Sequence, residues 1–217
     1  MSDHHPTTFP TERFKAFVDA VVAIAMTLLI LPLLEAVSDA AGEAETTGRF
    51  FQENAGQLLS FGLSFVLIAV FWMGHHRQYR DIERITTPLL WINVAWMATI
   101  VWLPVPTAML GQLDADPLQA VVYIGTPILT QVTTLGGWVY VARHRDLGSA
   151  SSDAIRGGIA GDLAAIALFG AALVIAVSIP ATGYAGLLIL LLNGPLSRVF
   201  DRLARRRGQA GAPSRPE

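Results

Sequence analysis

Long apolar runs alternate along this chain with short polar or charged connections. The first run, FKAFVDAVVAIAMTLLILPLLE from Phe14 to Glu35, is followed by an Asp-, Glu- and Gly-rich connection from Ser38 to Glu53. Further runs cover roughly Asn54 to His76, Ile85 to Leu110, Pro117 to Ala142, Ala154 to Ile179 and Ala181 to Val199. Each holds about twenty residues or more, and at about 1.5 Å per residue a helix of that length crosses a hydrocarbon core of about 30 Å. The pattern predicts an all-α integral membrane protein with six transmembrane helices per chain, the first running from Arg13 to Val37. It divides the chain into a polar N-terminal tail (1–12), a six-helix membrane domain (13–200) and a basic tail (201–217) whose Gly, Pro, Ala and Ser content predicts disorder.

Composition agrees with that class. Of 217 residues, 53% are hydrophobic and only 15% charged, and the mean hydropathy of +0.48 is too apolar for an ordinary soluble domain. The chain has no cysteine, which excludes a disulfide framework, a thiol nucleophile and cysteine-ligated metal. His75 and His76 are adjacent, so on a helix they point about 100° apart, and no HExxH spacing accompanies them. Neither a phosphate loop nor the carbonyl filter sequence TVGYG occurs. The reading is of a protein that is not an enzyme, with no cofactor, nucleic-acid partner or small-molecule substrate.

The distribution of charge sets the orientation. Fourteen lysines and arginines fall on one set of connections and tails, and only Arg49 on the other. This positive-inside asymmetry predicts a multi-pass protein of the cytoplasmic (inner) membrane with both termini cytoplasmic. The basic run RLARRR near the end serves that topology or a juxtamembrane lipid contact. The opposite face collects Asp39, Glu43, Glu45, Glu53, Asp114 and Asp116. A cleaved secretory signal is disfavoured, because the first run is longer than a signal core and contains Asp19.

A helix turns about 100° per residue, so Phe17, Ile24, Leu28, Leu31 and Glu35 fall in one narrow sector of the first span, with Asp19 almost opposite. If that stripe faced the axis of an oligomer, Ile24, Leu28 and Leu31 would stack apolar rings over about 10 Å, a constriction of the kind that gates by dewetting. Ordinary helix packing or lipid contact produces the same periodicity, so spacing leaves both readings open. Asp19 is the more pointed signal, since a carboxylate inside a span costs about 2.5 kcal/mol or more and calls for a partner. Placed toward the packed interior, it would find one in His75, His76 or Arg13. Pro32 cannot donate to the carbonyl of Leu28 and predicts a bend just above the constriction.

The motif Arg13-x-x-x-Phe17-Val18-Asp19, followed by AVVAIAMTLLILPLLE and later by FWMGHHR from Phe71 to Arg77, resembles the transmembrane protein 175 family of potassium channels. The family's serine is replaced here by Val18. The resemblance implies a homotetramer of six-helix chains in which the first helix of each subunit lines a pore permeable to K+. It implies Ile24, Leu28 and Leu31 as the constriction and Thr27 as a polar pore-lining group. Arg13, Phe17, Asp19, Trp72 and His75 or His76 would form the network behind the pore. Glu35 and Asp39 stand at the outer mouth, where they would concentrate cations or simply be solvated loop charge. Two rivals are a proton- or ion-coupled transporter, in which Asp19 and the histidines titrate, and a non-conducting membrane scaffold.

Overall fold

In the computed structural model, residues 9–43, 46–114 and 116–178 are described. The expected sixth span, Ala181 to Val199, and the basic tail from 201 lie outside the described residues, as do positions 1–8. The elements are β1 (Phe9–Pro10), α1 (Thr11–Leu28), α2 (Leu31–Gly42), α3 (Thr47–Glu53), α4 (Ala55–Gln78), β2 (Arg84–Ile85), α5 (Thr87–Trp102), α6 (Pro104–Gln112), α7 (Pro117–Arg143) and α8 (Ser152–Ser178). A single 3-10 turn, Arg145–Leu147, precedes α8. Among the described residues five stretches are long and apolar enough to cross a membrane: Thr11–Gly42, Ala55–Gln78, Thr87–Gln112, Pro117–Arg143 and Ser152–Ser178.

Prolines place several of the helix starts. Pro32, Pro88, Pro104 and Pro117 all sit in first turns, where the missing N–H has no intrahelical partner to lose. Asp116 caps α7, its carboxylate accepting from the Gln119 N–H at 2.9 Å. The same chemistry divides two spans that read as continuous in the sequence. The first breaks at Leu29–Ile30, where the Ile30 N–H turns back to the Thr27 carbonyl at 3.3 Å, and the third breaks at Leu103. The bend ahead of Pro32 therefore lies between Leu28 and Leu31, rather than above both. Residues 47–53, expected as plain connection, form α3, capped by Thr46.

One face of the first span enters the core: Phe14, Val18, Val22 and Ala25 of α1, with Leu29 just beyond its end, are buried at helical spacing, α1 packing on α4 and α5. α8 lies along α7, and α7 along α5. Gly158 of α8 is in contact with the Trp138 indole, leaving no space for a Cβ, which is how a small residue lets two membrane helices approach. Phe71 of α4 meets Phe169 of α8 edge-on, with ring centroids 6.4 Å apart.

The arginine-rich end of the bundle is held by strand-like pairing that the apolar pattern did not announce. β1 pairs antiparallel with β2, Phe9 opposite Ile85 and Pro10 opposite Arg84. Residue 12 had marked the end of a loose tail; the structure instead pairs residues 9–10 and begins α1 at Thr11. On its other side the α4–α5 connection bridges to the α7–α8 connection through Ile82 and Gly148.

Candidate functional site

The first span presents two faces. Val18, Val22, Ala25 and Leu29 are buried, while Phe17, Ile24, Leu28 and Leu31 are 59%, 58%, 37% and 48% exposed, so the stripe drawn from periodicity is the open side of the span among the described residues. It survives the break at Leu29–Ile30, although Leu31 belongs to α2 and Ile24 and Leu28 to α1. Thr27 is exposed beside the stripe, its hydroxyl donating to the Ile24 carbonyl at 2.7 Å. Glu35 and Asp39 continue along α2, both exposed.

The expected network behind this face is partly gathered and partly dispersed. Asp19 is exposed, not turned into the packed interior, and its carboxylate accepts from the Trp72 indole N–H at 2.8 Å. Neither His75 nor His76 takes that place. Asp19 emerges on the flank of α1, one residue beyond the inward-facing Val18, and the half-exposed Trp72 reaches it from the flank of α4. His76 is exposed and lies near Trp72, ring centroids 6.1 Å apart. Phe17 and Arg13 are exposed and join no buried cluster among the described residues.

His75 belongs to a separate buried centre. Its Nε2 lies 2.7 Å from Asn93 Oδ1, and the Asn93 amide nitrogen donates to Tyr79 Oη at 2.6 Å and to the Leu89 carbonyl at 2.8 Å. Because the Leu89 carbonyl can only accept, the amide orientation is fixed, and His75 Nε2 must carry the proton that Asn93 Oδ1 receives. The imidazole is sandwiched between aromatic rings, 4.5 Å from Tyr79 and 4.3 Å from Trp96. Phe14 of α1 covers the edge of this stack, its ring 5.8 Å from Tyr79 and 6.5 Å from His75. Burial pushes the Tyr79 phenol above its ordinary value, outweighing the opposing effect of the Asn93 hydrogen bond. The result is a rigid platform on which α1 rests.

Asn93, Tyr79 and Trp96 were not among the residues singled out from the sequence. The available signal was Asn93 itself, an amide in the middle of the apolar run from Leu89 to Trp102. A second buried cluster joins α4, α6 and α7: Thr107 Oγ1 lies 2.7 Å from Ser64 Oγ, and Ser64 Oγ lies 2.9 Å from Tyr123 Oη. Such bonds give directional cohesion to helices whose apolar contacts in lipid are not driven by water.

Together these features define a multi-span helical membrane protein whose first helix shows an apolar stripe outward and rests on a polar-aromatic platform. Residues 13–104, which contain both, match the family model for the endosomal/lysosomal potassium channel TMEM175. The chain is 31% identical over 103 residues to a potassium channel of Streptomyces collinus, covering 46% of this chain and 47% of that one. A potassium channel of Chamaesiphon minutus is 27% identical over 143 residues, 63% of this chain and 68% of that one. The endosomal/lysosomal proton channel TMEM175 of Bos taurus is 30% identical over 129 residues, 54% of this chain and 26% of that one. The chain thus spans about half the length of the first two curated relatives it matches.

The fold agrees over a longer stretch. The crystal structure of a lysosomal potassium-selective channel TMEM175 homolog from Chamaesiphon minutus superposes with a TM-score of 0.57 at 25% identity, covering 84% of this chain and 97% of that one. A variant of the potassium channel MtTMEM175 superposes with a TM-score of 0.58 at 16% identity, a likeness of fold alone.

Proposed function

We propose that this protein is a potassium-permeable channel of the cytoplasmic membrane, assembled from several copies of the chain as a homotetramer, with both termini cytoplasmic. The first span of each subunit lines the pore. K+ is the permeant ion, no cofactor takes part, and flow follows the electrochemical gradient.

The observation that carries this reading is the stripe Phe17, Ile24, Leu28 and Leu31, which stands exposed on the same span whose other face is fixed in the core. It lies inside the segment matched to a family of named potassium channels, and Glu35 and Asp39 follow it at the acidic end. In this reading Ile24, Leu28 and Leu31 form apolar rings that exclude water unless the pore widens. Thr27 supplies a hydroxyl at the edge, and the two carboxylates raise the local cation concentration at the outer mouth. Asp19 with Trp72 ties the flank of α1 to α4, while His75, with Asn93 and Tyr79, supports the cytoplasmic half from behind.

Purified protein in planar bilayers under opposed K+ and Na+ gradients tests the proposal. Unitary steps with a reversal potential displaced toward that of K+ are expected. A carrier gives flux without unitary steps, a scaffold gives no flux, and a reversal potential that follows only the proton gradient would replace K+ by H+ as the permeant ion.

A further inference from the structure

Apolar helix faces hold a membrane helix in place sideways but resist sliding along its axis poorly, because burial is non-directional and lipid is as apolar as the neighbouring helix. The height of α1 must then be set by directional contacts. One is the Trp72–Asp19 bond on the flank of the helix. Another is at its base, where the buried Thr11 hydroxyl donates to the Glu83 carbonyl at 2.6 Å and the two residues before it pair with Arg84 and Ile85.

The segment that receives α1 is itself anchored on its far side. The Glu83 N–H donates to the Leu147 carbonyl at 2.9 Å, and the Ser149 N–H to the Asp81 carbonyl at 3.0 Å. The Arg84 guanidinium donates to the Asp146 carbonyl. Gly148 lies so close to the Asp81 carbonyl that a Cβ would not fit between them. A continuous run of hydrogen bonds therefore leads from the α7–α8 connection, through residues 81–85, to the first residue of α1.

We propose that Thr11 is a positioning residue: its bond to Glu83 fixes the axial height of α1, and through it the α7–α8 connection sets the level at which Ile24 and Leu28 stand in the membrane. The effect on conduction rests on the channel reading above; the effect on helix height does not. Coupling of this kind gives a cytoplasmic loop control over the constriction without touching it.

The test compares Thr11→Val, which keeps the volume and removes the donor, with Thr11→Ser, which keeps the donor. Because the chain has no cysteine, single cysteines introduced in turn at positions 22–31 report water access to the first span through a membrane-impermeant thiol reagent. In Thr11→Val the labelling pattern is expected to shift by one residue or more, and K+ flux from liposomes to change by about fivefold, the population shift that one lost hydrogen bond produces. Thr11→Ser should match the parent in both, and all three should elute as the same oligomer. An unchanged labelling pattern in Thr11→Val overturns the proposal. So does failure of that variant to assemble, since the hydroxyl would then serve folding rather than height. If the parent carries no K+ flux, the channel reading fails, and the labelling pattern alone decides the role of Thr11.

Discussion

Trp72 donates its indole N–H to the carboxylate of Asp19 at 2.8 Å, joining the flank of α4 to the flank of α1 across 53 positions of sequence. Both side chains remain accessible in the single chain, so the bond sits at the margin of the bundle, where a neighbouring subunit or lipid would meet it. A hydrogen bond to a carboxylate is worth about 1.5–3 kcal/mol when shielded, and less where water screens it. Trp72→Phe keeps the ring and removes the donor. The variant in detergent should melt earlier by a shift equivalent to about 1 kcal/mol, while Asp19→Asn, which keeps an acceptor, should lose less. Equal losses in the two variants would mean that the donated bond depends on the charge of the Asp19 carboxylate and not on an acceptor alone.

At the proposed constriction, Ile24→Asn adds a polar group and Leu28→Ala shortens the side chain. Both favour hydration of a narrow apolar passage. Single-channel recordings should show higher current or a reversal potential displaced toward that of Na+. Two variants that conduct and select like the parent would mean that the stripe faces lipid.

Asn93 serves three partners at once: His75, Tyr79 and the Leu89 carbonyl. Asn93→Ala leaves the buried His75 N–H and Tyr79 hydroxyl without it, at about 1–3 kcal/mol for each group left unsatisfied. Thermal unfolding in detergent, followed by helical circular dichroism or by tryptophan fluorescence from Trp96, should move to lower temperature. Asn93→Asp, which retains the acceptor facing His75, should recover part of the loss; no recovery would place the weight of the site on the Tyr79 and Leu89 bonds.

Packing of α7 on α8 depends on the absence of a side chain at Gly158, where a Cβ would overlap the Trp138 indole. Gly158→Ala should destabilise by about 1–3 kcal/mol, the usual cost of overpacking a close contact. Trp138→Leu in the same chain should restore part of it by opening space. Additive losses in the double variant would show that the ring moves aside readily.

Hydropathy alone revealed the five described spans, whereas the 3.6-residue period drew a stripe on the first one without deciding whether that stripe packs or stands exposed. The breaks were half legible: Pro32 and Pro104 announce a weak point, but whether a helix bends or divides depends on what packs behind it. Pro127 lies inside α7, which continues through it. The position of Asp19 was misread because angular projection gives a direction about the helix axis and not the shape of the bundle around it; a residue next to the buried Val18 still falls on an open flank. The β1–β2 pair was illegible, since two-residue strands carry no period. Asn93 was visible but looked like an isolated polar residue until the fold brought His75 and Tyr79 to it.

The division of the first span at Leu29–Ile30 has a consequence for how the proposed pore varies within a lineage. Ile24 and Leu28 ride on a segment anchored from Thr11 upward, whereas Leu31, Glu35 and Asp39 ride on one whose direction is set at Pro32. Substitutions at the base of the bundle and substitutions around Pro32 therefore act on different rings. The inner threshold and the outer vestibule can drift independently, and relatives that agree in one need not agree in the other.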